Sequence, residues 1–128
     1  MLKDWIAVGL GGMLGSLARY GIMLLFALIG PAWLPIATLA ANVLGCLAIG
    51  YVSQWAYHAE LTHHWWVVGV RVGLLGGLTT FSSFGLDVIR EWQAGRTTFS
   101  LALVAAHCAA GIAAVALGIA LARQQEVD

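Results

Sequence analysis

The stretch Gly76-Gly77-Leu78-Thr79-Thr80-Phe81-Ser82-Ser83-Phe84-Gly85 interrupts an apolar run with glycines, four hydroxyls and two phenyl rings. Its flanks, residues 67–75 and 86–89, are mostly apolar and are typical of a membrane helix. In hydrocarbon every backbone N–H and C=O needs a partner, so such an interruption is tolerated only where protein or a water-filled cavity surrounds it. The stretch therefore predicts a discontinuous transmembrane helix whose unwound backbone and side chains face a site for a small solute.

The composition of the whole chain indicates an integral membrane protein. Of its 128 residues, 61% are hydrophobic and only 9% are charged, against about 25% charged in ordinary soluble domains. Six Lys and Arg balance six Asp and Glu, so no net charge attracts nucleic acid, and we expect no such partner. Cys46 and Cys108 lie in apolar runs, where a free thiol acts as a small hydrophobe, so we expect no disulfide.

Four apolar segments have about the twenty residues that are needed to cross a lipid bilayer. They cover residues 5–28, 34–57, 65–91 and 98–122. We therefore expect an all-α membrane protein, with residues 1–128 in a single four-helix transmembrane domain whose third helix is broken. Short connections make neighbouring helices antiparallel. Tryptophans fall at or near the segment ends, as an aromatic belt requires: Trp5, Trp33, Trp55, Trp65, Trp66 and Trp92.

The positive charges barely distinguish the two orientations of the chain in the membrane. Four spans place Lys3, Arg71 and Arg123 nearer one surface, and Arg19, Arg90 and Arg96 nearer the other. The excess of Lys and Arg that normally marks the cytoplasmic side is therefore small. Either the chain inserts both ways round, so that two opposed copies can form an antiparallel homodimer, or a slight bias sets one orientation.

Small residues recur four apart in every segment, which predicts close helix packing. They are the pair Gly11 and Gly15, the pair Ala41 and Gly45, the triplet Gly69, Gly73 and Gly77, and the pair Ala114 and Gly118. Lipid supplies no hydrophobic drive for helix association, so close backbone approach matters more than in water. Four tightly packed helices leave little room for a pore inside one protomer, and we expect the chain to form oligomers.

Two of the polar side chains within the first two segments, Arg19 and Asn42, are candidates for a functional role. Arg19 lies about three residues past the midpoint of the first, where an unpaired cation costs about 2.5 to 3.5 kcal/mol on insertion scales. It either extends to the membrane surface or faces an aqueous vestibule that attracts anions. Asn42 lies near the middle of the second segment and is either a link between helices or a donor to a permeating ion.

Phe81 and Phe84 are three residues apart, so a helix places both rings on one face. Packing in a core is the usual role of such a pair. Hydroxyl side chains accompany them within one turn at Thr79, Thr80, Ser82 and Ser83. The rim of a phenyl ring is electropositive, so ring edges, hydroxyls and an amide together can replace the hydration shell of a small anion. Backbone carbonyls freed at a broken helix commonly coordinate a cation such as sodium.

Three motifs together resemble the Fluc, or CrcB, family of bacterial fluoride channels. They are residues 11–20 (GGMLGSLARY), 38–42 (TLAAN) and 76–84 (GGLTTFSSF). The resemblance extends over the whole chain in length, span count and motif order. It implies passive fluoride export across the bacterial inner membrane through an antiparallel, dual-topology homodimer. This dimer would have two pores at the subunit interface and one sodium ion on its axis.

The resemblance also implies roles for individual residues. The fluoride pore would be formed by Phe81, Phe84, Asn42, Thr80, Ser82 and Ser83, with Arg19 as a vestibule cation. Main-chain carbonyls of Gly76 and Thr79 from each subunit would hold the sodium ion. His107 and Asp87 match positions of a polar track, although for His107 a neutral imidazole linking two helices is equally open.

This sequence departs from the family pattern at four positions. Gly111 and Val115 stand where relatives often carry Ser and Thr, and Gly85 and Asp87 stand where many carry Ser and Glu. The polar track along the fourth segment is therefore thinner here. We expect slower fluoride conduction with selectivity retained.

Three other classes of function fit the sequence less well. A dual-topology multidrug exporter of this size needs a membrane-embedded carboxylate, but the first segment has Arg19 and no acid beyond Asp4 at its edge. A non-transporting assembly subunit would tolerate Ala at both phenylalanines. An enzyme is not expected, because no nucleophile, base and third group recur at workable spacing.

A metal site in the loop containing His58, His63 and His64 lacks supporting Cys or acid ligands.

Overall fold

The computed structural model describes residues 1–125, and this part of the chain consists of helices joined by short turns. Helix α1 spans Leu2–Ile29 and α2 spans Leu34–His58. Helix α3 covers residues 65–78, in which a π-helical segment, Gly69–Leu74, lies between α-helical Trp65–Val68 and Leu75–Leu78. Helix α4 spans Phe81–Gln93 and α5 spans Thr97–Gln124.

Four helical runs are long and apolar enough to cross a membrane: Leu2–Ile29, Pro31–His58, Trp65–Gln93 and Thr97–Gln124. The predicted all-α class and the count of four spanning helices are therefore confirmed. Each run extends a few residues beyond the predicted segment, because the ends carry polar and aromatic residues that hydropathy alone does not include. The chain is a multi-pass membrane protein.

The connection between α1 and α2 is short. Gly30 has φ 147°, a backbone conformation that favours glycine, and a single 3-10 turn, Pro31–Trp33, follows it. Pro35 lies in the first turn of α2. A proline is tolerated there, since the N–H that it lacks would have no helical acceptor.

The helices pack mainly as two pairs, α1 against α3 and α2 against α5. In the first pair, a Cβ on Gly77 would lie 2.6 Å from the carbonyl oxygen of Gly12, and one on Gly15 would overlap the carbonyl of Leu74. In the second pair, Gly118 lies directly against the backbone of α2. These glycines therefore occupy the helix contacts, where only a hydrogen atom fits.

Polar contacts attach α4 to α5. The fully buried hydroxyl of Ser100 donates to the carbonyl oxygen of Val88 at 2.8 Å. Across the turn, Arg96 Nη2 donates to Glu91 Oε1 at 3.0 Å, and Nε donates to Oε2 of the same carboxylate. This carboxylate raises the pKa of Arg96. The paired contact joins the last turn of α4 to the residue that precedes α5.

Candidate functional site

The backbone between α3 and α4 is extended for two residues. Helix α3 ends at Leu78, and α4 begins at Phe81. Between them, Thr79 has φ −85° and ψ 152°, and Thr80 has φ −152° and ψ 121°. The regular i to i−4 ladder of helical hydrogen bonds is interrupted here, so other groups must pair with the backbone.

The side chain of Asn42 pairs with this extended backbone. Its Nδ2 donates to the carbonyl oxygen of Thr80 at 3.0 Å, and its Oδ1 accepts from the N–H of Thr80 at 2.7 Å. The amide thus links α2 to the interruption, which is the first of the two roles that the sequence left open. One Nδ2 hydrogen is not used by these two bonds, so the role of Asn42 as an ion donor stays a prediction.

The interruption separates the carbonyls of Gly76 and Thr79, among others, from their helical donors. In a continuous helix the N–H of Thr80 would bond to the carbonyl of Gly76, but it donates to Asn42 instead. The N–H of Ser83 would likewise bond to the carbonyl of Thr79, but it donates to Thr80 Oγ1 at 3.2 Å. Gly76 is exposed, and no atom of the described residues lies within 4 Å of its Cβ position.

Arg19 reaches the same interruption from α1. Its Nε donates to the carbonyl oxygen of Gly77 at 3.2 Å, and the side chain is only partly exposed. The sequence left two roles open for this cation, a surface anchor and a vestibule charge. The structure adds a third, because the guanidinium satisfies a carbonyl in the last turn of α3. The vestibule role stays a prediction.

The hydroxyl of Thr80 caps α4. Besides accepting from the N–H of Ser83, it lies 3.1 Å from Ser82 Oγ and 3.3 Å from Ser83 Oγ. Thr80 is the N-cap residue, so its side chain satisfies one of the four free donors at the helix start. The three hydroxyls therefore form one cluster, in which Ser82 is exposed.

The two phenyl rings lie at the start of α4 in edge-to-face contact. The centroids of Phe81 and Phe84 are 5.4 Å apart and their planes meet at 64°. Phe81 is 82% exposed, although it is large and apolar. The Phe84 ring lies 4.2 Å from the imidazole of His107 on α5, with an interplanar angle of 34°. The two rings thus connect the protomer surface to a histidine inside the bundle.

His107 has one bonded and one unbonded ring nitrogen. Nδ1 lies 2.9 Å from the carbonyl oxygen of Leu103 in the same helix. Because a carbonyl only accepts hydrogen bonds, Nδ1 carries a proton. Nε2 is buried and has no hydrogen-bond partner among residues 1–125. The one hydrogen bond of this imidazole lies within α5, whereas its ring contact with Phe84 joins α5 to α4, so the alternative in which it links two helices stays a prediction.

A cavity of about 400 Å³ brings several predicted site residues together. Its wall includes Asn42, Thr79, Thr80, Phe81, Phe84 and His107. Gly76 also lines it, whereas Arg19, Ser82, Ser83 and Asp87 do not. Among the lining residues none carries a fixed charge. Such a space offers ring edges, hydroxyls and one amide to a small solute.

Asp87 and Val115 lie outside this cavity and have packing roles. The hydroxyl of buried Thr38 donates to Asp87 Oδ2 at 2.7 Å, which attaches α4 to α2. The backbone of Val115 lies against Gly50, at the contact between α2 and α5. The polar-track assignment of Asp87 stays a prediction, and the structure identifies its donor as Thr38.

Sequence reasoning missed the part that the cysteines have in this cavity. Cys46 and Cys108 both line it, and a Cβ on Gly111 would lie 3.6 Å from the Sγ atom of Cys46. The sulfur therefore lies beside the position where a hydroxyl side chain would project from α5. The spacing of Cys46, four residues after Asn42 on one helix face, was an available signal.

Comparison with known proteins gives consistent matches over nearly the whole chain. Residues 6–119 match the family described as CrcB-like protein, Camphor Resistance (CrcB). A protein of Renibacterium salmoninarum named fluoride-specific ion channel FluC is 39% identical over 123 residues, covering 91% of this chain and 97% of its own. Proteins of the same name from Paracoccus denitrificans and Ralstonia nicotianae are 37% and 40% identical, and cover 96% and 90% of this chain and 97% and 90% of their own.

Proposed function

Because this chain belongs to the CrcB family, whose relatives are named fluoride-specific ion channels, we propose that it conducts fluoride passively across the membrane. The family is one of ion channels and not of enzymes. In a bacterial inner membrane such a channel would release fluoride that enters the cell as the neutral weak acid and becomes trapped as the anion. No energy coupling and no covalent chemistry are involved.

The observation that carries this proposal is the make-up of the cavity wall. Phe81 and Phe84 meet edge to face beside the amide of Asn42 and the hydroxyl of Thr80. Ring rims, N–H and O–H groups are all electropositive, and they offer a small anion partial charges in place of water. The lining has no Lys or Arg, so apart from the imidazole of His107 the anion meets only partial charges.

We further propose that two copies insert in opposite orientations and form an antiparallel homodimer. The near balance of positive charges between the two membrane surfaces permits both insertions. Phe81 and Gly76 are exposed and line the same cavity at mid-span, and Ser82 next to Phe81 in the chain is also exposed. A second copy that covers this face would enclose the polar groups, which lipid cannot solvate. Each pore would then lie at the interface.

The family also implies a sodium ion, and the backbone at the interruption fits one. Gly76 and Thr79 have carbonyls without their helical donors, and carbonyl oxygens suit a hard cation. Two antiparallel copies would bring both pairs of carbonyls to one axis. Sodium should then raise the melting temperature of the purified dimer, whereas equal potassium should not. Equal melting curves in the two salts would contradict this assignment.

The fluoride proposal is tested by efflux from liposomes that contain the purified protein, read with a fluoride electrode. We expect Phe81→Ile to abolish efflux while the protein still assembles, because an aliphatic side chain offers no electropositive rim. Leu86→Ile, which changes another exposed apolar residue of α4, is the matched control and should conduct normally. Normal efflux through the Phe81→Ile protein would exclude the ring-edge mechanism.

A further inference from the structure

We propose that fluoride occupancy of the cavity is linked to the protonation of His107, so that the channel conducts faster when this imidazole is a cation. The inference rests on the proposed function and adds a regulated group to the same site. It starts from the two ring nitrogens, of which one is bonded and the other is buried without a partner.

The hydrogen bond to Leu103 determines whether Nε2 of His107 carries a lone pair or an N–H group. Because Nδ1 donates to the Leu103 carbonyl, a neutral His107 has its lone pair on Nε2. A lone pair is an acceptor, and it repels an anion. When His107 gains a second proton, Nε2 becomes an N–H donor and the ring carries a full positive charge. Protonation thus reverses the electrostatic contribution of this wall of the cavity.

The contact between Phe84 and His107 transmits this change to the proposed ring-edge ligand. The imidazole lies against the Phe84 ring at a centroid distance of 4.2 Å. A cation over the face of an aromatic ring is attracted to its negative quadrupole, while the ring rim is positive. A protonated His107 on the face and an anion at the rim therefore stabilise each other. By linkage, fluoride must favour protonation of His107 to the same degree that protonation favours fluoride.

His107 is the one imidazole in the cavity wall, and histidine is the side chain type that ordinarily changes charge near physiological pH. The titratable groups in the cavity wall are the thiol of Cys46 on α2 and that of Cys108 on α5 itself. Helices α3 and α4 and the residues between them contribute only uncharged side chains to this wall. The nearest carboxylate on α4, Asp87, is outside it and accepts from Thr38. An unperturbed thiol stays neutral between about pH 5 and 8, where histidine titrates.

The test measures fluoride efflux from liposomes as a function of pH, with the full-length protein. We expect efflux to rise about 5-fold or more as the pH falls from about 8 to 5.5. A 5-fold change is about the low end of the coupling that is typical between two linked sites. Protein-free liposomes supply the baseline, because the neutral acid itself crosses lipid at low pH. His107→Gln should flatten the profile, since glutamine cannot change its charge. His63→Gln, in the exposed loop, should leave the profile unchanged.

A flat profile for the unmodified protein, or a retained pH response in His107→Gln, would overturn the proposal while the fluoride channel itself stands. Absence of efflux at every pH would instead refute the proposed function. Nuclear magnetic resonance of the imidazole in the unmodified protein gives a readout that does not depend on a variant. At fixed pH, added fluoride should increase the protonated fraction of His107, and equal chloride should not. No response to fluoride would contradict the linkage.

Discussion

The amide of Asn42 makes two hydrogen bonds to a single backbone residue, Thr80, at 3.0 Å and 2.7 Å. In this arrangement a side chain on α2 replaces the helical partners that the extended backbone has lost. The same pairing leaves the carbonyl of Gly76 without its usual donor. One side chain therefore both stabilises the interruption and creates the free carbonyl that the proposed cation site uses.

Asn42→Ala should destabilise the protein and reduce fluoride efflux, because it leaves the N–H and C=O of Thr80 unpaired. A buried polar group without a partner costs about 1 to 3 kcal/mol, so the melting temperature should fall clearly. Thermal unfolding in detergent measures the loss. Gln54→Ala, which removes another amide from the same helix near its end, is the control and should change little. Equal melting temperatures for the two variants would exclude the bridging role.

Gly15→Ala should destabilise the packing of α1 against α3. A Cβ at this position overlaps the carbonyl of Leu74, a backbone atom that cannot move away on its own. Overpacking of this kind costs about 1 to 3 kcal/mol. Gly21→Ala in the same helix has nothing within 4 Å and should be neutral or slightly stabilising. Similar unfolding curves for the two variants would show that α1 does not approach α3 this closely.

Gly76→Leu should prevent dimer formation without disturbing the protomer. The position has no neighbour within 4 Å in the described chain, so a larger side chain meets only what covers this face. Gly9→Leu, also without a neighbour within 4 Å, tests the same substitution in the first helix. Cross-linking and size-exclusion chromatography report the oligomeric state. A Gly76→Leu dimer that is as stable as the unmodified one would place the interface elsewhere.

Gly111→Ser should increase the rate of fluoride efflux and leave chloride excluded. A Cβ there lies 3.6 Å from Cys46 Sγ, an ordinary van der Waals distance, so serine fits and adds a hydroxyl beside the cavity. Gly111→Ala occupies the same space without a donor and should not accelerate efflux. If both variants conducted alike, the missing hydroxyl would not be what limits the rate.

The membrane class, the four helices and the position of the polar stretch at residues 76–85 were predictable, because hydropathy and helix-breaking residues are local properties of the sequence. The partners of the polar residues were not. Thr38 and Asp87 are 49 positions apart in the chain, and only the packing of α2 against α4 brings them together. The bond from Arg19 to Gly77 likewise depends on how closely α1 approaches α3.

The π-helical turns of residues 69–74 were also not predictable, because no residue type marks them. For the two cysteines the sequence predicted only that each acts as a small hydrophobe. Their apolar surroundings in the sequence resemble lipid-facing or core positions. Only the arrangement of α2 and α5 around the cavity shows that both cysteines line the same cavity as the phenyl rings.

The most direct test of the account is anion efflux from liposomes that contain the purified protein, measured in parallel for fluoride and chloride. Rapid release of fluoride with negligible release of chloride is the predicted result, because the small anion alone gains enough from the ring edges and donors to leave water. Equal release of both anions, or release of neither from liposomes shown to contain folded dimer, would contradict a fluoride channel built on Phe81 and Phe84.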